Sequence, residues 1–208
     1  MGNPRHLLNL FSALAVFGLM VAQVSPLAGQ KSTTRGLNLG IHLQAASLSV
    51  QDGDADGGGG LGLRVGYGIN RIVTLYFEAD GVAVESEGSE EIRGTWGLAH
   101  ADFGARFHFA NTLRSWVPYL DVAIGGRVAS VEDVEVNGQD FGDISFSGGA
   151  FSFGGGIYAY FNQTLALDVG LKFSGGEFTQ VDLGNVSVND LDIEASSTRF
   201  KIGIVWWP

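Results

Sequence analysis

The sequence predicts an all-β protein: a membrane-spanning, eight-stranded, antiparallel up-and-down β-barrel preceded by a signal peptide. Three observations support this prediction. Eight segments of the 208-residue chain alternate apolar and polar residues with the period of two that a β-strand has. Short and long connections alternate between these segments. Every charged residue within the eight segments lies on their polar face, so the opposite face of the predicted sheet is free of charge.

The composition excludes several other classes of protein. A hydrophobic content of 45% is too high for a disordered chain, and 32 glycines without a Gly-X-Y period exclude collagen. A formal net charge of −10 with 12 basic residues argues against nucleic acid as a partner. The chain has no cysteine, which excludes disulfides, thiolate catalysis and cysteine-ligated metals.

Residues 1–30 are predicted to be a secretory signal peptide, and residues 31–208 to be the barrel domain. One early positive charge, Arg5, precedes a long apolar run, and small residues follow that run. Cleavage is expected after Gly29 or Gln30. A transmembrane anchor is the alternative, and it is disfavoured because no basic flank follows the apolar run.

The first strand is predicted over residues 36–45, where Leu37 and Leu39 alternate with Asn38 and His42. The other seven segments show the same alternation in chain order. They are 61–69 with Arg64 on the polar face, 73–80 with Glu78 and Asp80, 101–109 with Asp102 and Arg106, 120–128 with Asp121 and Arg127, 150–161 with Ser152, 165–173 with Asp168 and Lys172, and 199–206 with Arg199 and Lys201.

Connections of two lengths alternate along the chain, which predicts an up-and-down barrel with two unlike ends. Alternation continues in the outer halves of the longer connections, so those hairpins are expected to project beyond the barrel. The apolar parity changes between Ala195 and Phe200, which predicts a β-bulge there. The short connections are 69–71, 110–116 and 162–164, and the longer ones are 49–59, 85–94, 130–147 and 175–196.

The distribution of charge indicates which face is inside. Of the 22 acidic residues, 17 lie in the four longer connections. The other five acids and six bases share the polar face with glycine, serine and other small residues, as expected inside a closed eight-stranded barrel. The opposite face carries leucine, isoleucine, valine and phenylalanine, which suit hydrocarbon. We therefore predict a lumen charge network of Arg64, Glu78, Asp80, Asp102, Arg106, Asp121, Arg127, Asp168, Lys172, Arg199 and Lys201.

Aromatic residues gather near the short connections, where they predict a girdle at one membrane–water interface. Trp207 is expected to join this girdle beside Trp206. The other predicted members are Tyr67, Phe107, Phe109, Trp116 and Phe161.

Over residues 35–208 the sequence resembles the eight-stranded outer-membrane barrels of Gram-negative bacteria, the porin-like group of the OmpA transmembrane domain and OmpX. The resemblance implies a monomer in the cell outer membrane, with outer-membrane lipids, lipopolysaccharide and the barrel assembly machinery as partners. It also implies a terminal-strand assembly signal, which Lys201, Gly203 and Trp206 match. Pro208 departs from that signal, because the family has an aromatic residue at its final position.

The near balance of lumen charges favours a salt-bridged interior over a conduction path, because unpaired buried ions are costly. The predicted role is therefore structural or in surface interaction, through acidic extracellular loops. One alternative is a narrow porin-like channel for small solutes. Another is a soluble, secreted, lipocalin-like barrel with its faces reversed.

Two further motifs contain residue types that could bind a metal or take part in catalysis. Asp52, Asp54 and Asp56 repeat the first half of a calcium loop, but the twelfth position lacks glutamate, so Ca²⁺ is a hypothesis and no other cofactor is expected. His100 and Asp102 share the lumen face two residues apart, as a catalytic base and its orienting acid could. No Ser–His pair, phosphate loop or zinc spacing accompanies them, so no enzymatic activity is predicted.

Overall fold

The computed structural model describes residues 34–50, 56–85, 92–109, 115–136, 139–140, 144–183 and 186–208. The predicted signal peptide lies outside these residues. Within the described parts of the chain, no helix is long and apolar enough to cross a membrane.

The described residues form nine β-strands. Each predicted segment overlaps one of eight long strands, and β6 is a two-residue strand that pairs with the end of β5. The strands are β1 (Gly36–Val50), β2 (Asp56–Gly68), β3 (Val73–Glu85), β4 (Ile92–His108), β5 (Trp116–Val136), β6 (Gln139–Asp140), β7 (Ile144–Tyr160), β8 (Leu165–Leu183) and β9 (Val186–Trp206).

Antiparallel pairing runs round the whole sheet and closes it. The eight long strands pair with their neighbours in chain order, and β9 also pairs with β1. The closing ladder runs from Leu39↔Trp206 to Val50↔Ala195. Closure bonds the backbone groups of the first and last strands to each other, as a sheet in hydrocarbon requires. The predicted eight-stranded barrel is confirmed.

Tight connections define one end of the barrel, which we call the turn end. Asn70 and Asn162 organise two of its turns. The side-chain oxygen of Asn70 accepts hydrogen bonds from the backbone N–H groups of Ile72 and Val73, at 2.7 and 2.8 Å. Asn162 accepts in the same way from residues 164 and 165. These side-chain hydrogen bonds hold the backbone in a turn at the positions where the hydrogen-bond ladder between the two strands ends.

The strands reach further toward the opposite end, the acidic end, than the sequence predicted. β5 continues to Val136, β8 continues to Leu183 and β9 begins at Val186. Most of the predicted longer connections are therefore strand rather than loop. The expected projection of hairpins is confirmed, because β8 and β9 pair as far as Leu183↔Val186, well past the last β1–β9 pair.

The outward face of the barrel wall is apolar and exposed. Ile41, Leu63, Phe103 and Ile124 are each more than half exposed. An apolar surface that runs round the wall is typical of a protein surrounded by lipid. Six of the predicted girdle residues are also exposed near the turn end: Tyr67, Phe107, Phe109, Trp116, Phe161 and Trp206.

The parity change between Ala195 and Phe200 is not a bulge, so that prediction was wrong. β9 stays in unbroken register with β8 over this stretch, and the ladder shifts instead between Phe178 and Gln180. Ala195 faces inward and Phe200 faces outward. Each face of β9 keeps its direction along the whole strand. Near the acidic end, however, the inward face is apolar and the outward face is polar, which is the pattern expected where a strand extends beyond the membrane.

Candidate functional site

The lumen is filled by three layers of inward-facing side chains. The middle layer is the charge network, and none of its eleven predicted members is more than 7% exposed. An aromatic cluster fills the turn end: Val117, Tyr119, Tyr158, Tyr160, Ala166, Val205 and Trp207. An apolar cluster fills the acidic end: Ala46, Leu48, Val82, Leu98, Ala129, Phe178 and Ala195.

Glycines make room for the large side chains inside the barrel. A Cβ atom added at Gly156 or Gly170 would lie 2.4 or 2.5 Å from the hydroxyl of Tyr119. Both glycines face inward beside this tyrosine, so the ring occupies the space that their side chains would take. The narrow interior of an eight-stranded barrel thus holds a bulky residue on one strand because its neighbours have none.

Arg106 anchors the half of the network nearer the turn end. Its Nε and Nη2 atoms donate to the two carboxylate oxygens of Asp121, each at 2.6 Å, in a bidentate pair. Its Nη1 atom lies 3.2 Å from Asp168, and Arg64 lies 3.1 Å from the same carboxylate. Two arginines and two aspartates therefore neutralise one another in this cluster.

Two tyrosines complete the Arg106 cluster. The hydroxyl of Tyr158 accepts hydrogen bonds from Arg64 at 2.6 Å and from Arg106 at 2.5 Å. Tyr119 donates to Asp168 at 2.5 Å, and its ring lies 3.5 Å below the Arg106 guanidinium. These contacts satisfy donors and acceptors that the ion pairs leave over, which a buried network requires. Neither tyrosine is among the residues that the sequence predicted for the network.

Glu78 joins two lysines in the other half of the network. Lys172 donates to one of its carboxylate oxygens, and Lys201 donates to the other at 2.7 Å. Lys172 also lies 3.2 Å from Asp102. Lys201 has no other ion pair among the described residues, so its charge depends on Glu78.

Arg199 connects this cluster to the acidic end. Its guanidinium lies 2.7 Å from Asp80 and 2.8 Å from Asp102, and it also donates to Ser174 at 2.8 Å. Gln44 donates to the second oxygen of Asp80 at 2.8 Å. Pairing of this kind is necessary because a buried charge without a partner is strongly destabilising.

Arg127 differs from the other ten charged residues. It forms no ion pair with any residue that the structure describes, although it is 1% exposed. Its Nη2 atom donates to the backbone oxygen of Ala195 at 2.8 Å, and its guanidinium lies 4.8 Å from the centre of the Phe178 ring. Its Nε and Nη1 atoms have no hydrogen-bond partner.

The candidate catalytic pair is not formed. His100 lies 3.3 Å from Asp80 rather than against Asp102, which binds Lys172 and Arg199. The other ring nitrogen of His100 lies 3.2 Å from the hydroxyl of Ser197. This order of groups is that of a serine–histidine–aspartate triad, but all three side chains are buried between the two end clusters. Ser197 is 3% exposed, so its hydroxyl is not open to solvent in the folded barrel.

Among the residues that the structure describes, one group of side chains has metal-ligand geometry. Candidate ligand atoms of His42, Glu78 and Asp80 lie within 4.8 Å of one another. Both oxygens of Glu78 already accept from lysine ammonium groups, which would repel a cation. The chemistry of this group therefore suits an ion-pair network and not a metal. The predicted calcium ligands Asp52 and Asp54, and the side chain of Asp56, lie outside the described residues.

The residues of the predicted assembly signal lie in three different environments. Lys201 is in the charge network, and Trp206 is exposed in the girdle. A Cβ atom at Gly203 would lie 2.2 Å from the backbone oxygen of Ile41, so this position tolerates only glycine. Trp207 does not join the girdle, and that prediction was wrong. It is 3% exposed and its ring packs in the lumen, 5.2 Å from the ring of Tyr160.

Comparison with known proteins identifies the same architecture. The model of the "Outer membrane protein beta-barrel domain" family matches residues 11–206. Neisserial surface protein A (NspA) is 18% identical, with a TM-score of 0.61 over 82% of this chain and 96% of NspA. Ail, the attachment invasion locus protein of Yersinia pestis, is 14% identical, with a TM-score of 0.54 over 83% of this chain and 100% of Ail.

Two further comparisons extend this result. OprG from Pseudomonas aeruginosa is 13% identical, with a TM-score of 0.51 over 86% of this chain and 97% of OprG. Ail has also been solved in complex with the heparin analogue sucrose octasulfate. No sequence among the curated proteins matches the chain. At these identities the structural similarity shows a shared fold.

Proposed function

Since the chain belongs to the outer membrane protein β-barrel family, we propose that it is a closed, non-conducting barrel that presents acidic hairpins at the cell surface. Its location is the cell outer membrane. In barrels of this class the short turns face the periplasm and the longer connections face outward, so the acidic end is the extracellular end.

The observation that carries the proposal is the sealed lumen. Arg106, Glu78 and their partners occupy the middle of the barrel as a paired network. Tyr158 and Trp207 pack across the turn end, and Phe178 packs in the apolar cluster across the acidic end. A solute crossing this lumen would have to displace both clusters and break ion pairs. A narrow channel is therefore the weaker alternative.

The acidic end supports a role in surface interaction. The four predicted longer connections carry 17 acidic residues and one basic residue, Arg93. On the projecting β8–β9 hairpin, Glu177 and Glu194 face each other across the ladder. Ail, which has been solved with a polyanionic heparin analogue, shares the fold. The charge of this chain opposes such a ligand and suits a cationic partner.

The remaining expectations are part of the same proposal. We expect a monomer without enzymatic activity that contacts outer-membrane lipids and lipopolysaccharide, and that the barrel assembly machinery inserts. Binding of Ca²⁺ at Asp52, Asp54 and Asp56 stays a hypothesis that calorimetry can test. The soluble lipocalin-like alternative is not favoured, because the family is one of outer-membrane barrels and the apolar face of the wall is turned outward.

Planar-bilayer recording tests the proposal. The purified monomer is expected to give no stable conductance step. The double variant Tyr158→Ala/Trp207→Ala, which removes two rings from the turn-end cluster, serves as the comparison, because a gain of brief openings there would show that the rings close the lumen. A large, stable conductance from the wild-type monomer would overturn the proposal and favour the channel.

A further inference from the structure

The charges of the lumen do not balance at Arg127. Each of the five buried carboxylates contacts at least one cationic side chain, and these contacts involve Arg64, Arg106, Lys172, Arg199 and Lys201. Arg127 is the sixth base, and no carboxylate remains for it among the described residues. Counted over the described residues, the buried side chains of the lumen therefore carry one more positive charge from arginine and lysine than negative charge from carboxylates.

The surroundings of Arg127 satisfy a small part of its hydrogen-bonding capacity. A guanidinium has five N–H donors and no acceptor. One nitrogen donates to the backbone oxygen of Ala195, and the ring of Phe178 lies 4.8 Å from the guanidinium carbon. The Nε and Nη1 atoms are buried without a partner. A charged group that is removed from water and left in this state is strongly destabilising.

A second arginine adds to the positive charge at this place. Arg199 lies close enough to act on Arg127 electrostatically, and the two cations repel each other. The Nε atom of Arg199 is also buried without a partner. Its nearest carboxylates, Asp80 and Asp102, are shared with Gln44 and Lys172. Unpartnered donors on two neighbouring cations form the chemistry of an anion site.

We propose that Arg127 binds a small inorganic anion, of the size of chloride, inside the lumen. The anion supplies the negative charge that the network lacks, and it lies where the charge network meets the apolar cluster of Phe178 and Ala195. The Nε–H and Nη1–H groups of one guanidinium point in different directions, so the anion lies beside one of them. A monatomic anion suits such a site better than an oxyanion, because each oxygen of an oxyanion needs its own donor. Water molecules at the same nitrogens are the competing explanation, and water would leave the charge unneutralised.

The experiment uses the dependence of stability on the anion. The protein is unfolded with urea in detergent micelles, in sodium chloride or in sodium gluconate of equal ionic strength. Gluconate is a much larger organic anion, and it is not expected to reach the buried guanidinium of Arg127. A ligand that binds only the folded state raises the folding constant in proportion to its concentration above the dissociation constant. We therefore expect about a tenfold rise in the folding constant for each tenfold rise in chloride, and none in gluconate.

Two variants separate this site from general effects of salt. Arg127→Met removes the proposed ligand and is expected to abolish the difference between chloride and gluconate. Arg71→Gln removes an exposed arginine at the turn end and is expected to keep it. Equal stability of the wild type in both salts, or a chloride effect that persists in Arg127→Met, would overturn the proposal.

A second measurement does not depend on the folding of any variant. Wild-type protein refolded and crystallised in sodium bromide is expected to give an anomalous peak beside the Nε or the Nη1 atom of Arg127, because the anion is enclosed as the barrel folds. Density for water alone at these atoms would overturn the proposal.

Discussion

Replacement of Glu78 by glutamine tests whether the ion pairs of the lumen stabilise the barrel. Glu78 is 1% exposed, and it is the one described carboxylate that contacts Lys201. At the observed separation of 2.7 Å, an effective dielectric constant of 20 gives an attraction of about 6 kcal/mol. Glutamine avoids the cost of burying a carboxylate, which is several kcal/mol, but it leaves the ammonium of Lys201 without a counter-charge. The net expected loss is about 3–5 kcal/mol.

Urea unfolding in micelles measures this loss. With a slope of about 2 kcal/mol per molar urea, the midpoint of Glu78→Gln is expected to fall by about 2 M. Glu194→Gln makes the same change of charge on the exposed face of β9 and is expected to change stability by less than about 0.5 kcal/mol. The double variant Glu78→Gln/Lys201→Met lacks the unpaired ammonium. Its loss of stability is therefore expected to be about 1–3 kcal/mol smaller than the sum of the losses in the two single variants. The reasoning would be refuted if Glu78→Gln lost less than about 1 kcal/mol of stability, or if the loss in the double variant equalled the sum of the losses in the two single variants.

Two further predictions follow from packing. Gly203→Ala is expected to prevent closure of the barrel, because a Cβ there would lie 2.2 Å from the backbone oxygen of Ile41, and loss of the heat-modifiable shift on a gel measures this. Normal folding of that variant would contradict the described β1–β9 register. Trp207→Ala is expected to cost about 3–5 kcal/mol, because it removes a buried ring that packs on Tyr158 and Tyr160, and urea unfolding measures the loss. A loss below about 1 kcal/mol would mean that Trp207 packs elsewhere.

The inward and outward faces of the barrel could be predicted from sequence because they depend on neighbours along one strand. Period-two alternation placed Arg64, Glu78 and Asp168 on the polar face, and the structure buries all three. The limits of the strands could not be found in this way. Beyond the membrane the outward face of β9 is polar and its inward face is apolar. The stretch before Ala195 therefore shows the reverse of the alternation seen within the membrane, although the strand continues through it.

The pairing inside the lumen could not be predicted, because its partners are distant in sequence and meet across the closed barrel. Arg64 and Asp168 are 104 residues apart, and Arg106 and Tyr158 are 52 apart. Which strands face each other depends on the stagger of the sheet, and a one-strand pattern does not contain that information. For the same reason the strand pattern predicted six bases and five acids in the lumen without indicating that Arg127 would be the one without an ion pair among the described residues.

Trp207 shows a second limit of pattern analysis. Aromatic residues near a predicted turn end suggest a girdle, and Trp206 is exposed there. Trp207 has the opposite parity and therefore turns inward, where it closes the aromatic cluster with Tyr158 and Tyr160. At this position strand parity predicts the direction of the side chain correctly, whereas residue type does not.

Cysteine accessibility tests the sealed lumen most directly, because the chain has no cysteine of its own. Ser152→Cys places a thiol in the lumen at a position that is 0% exposed, and Ser196→Cys places one on the exposed outer face near the acidic end. In liposomes, a charged methanethiosulfonate reagent is expected to modify Cys at position 196 and to leave position 152 unmodified until the protein is unfolded. Rapid modification of position 152 in the folded barrel would contradict the account, because it would show a water-filled path through the lumen.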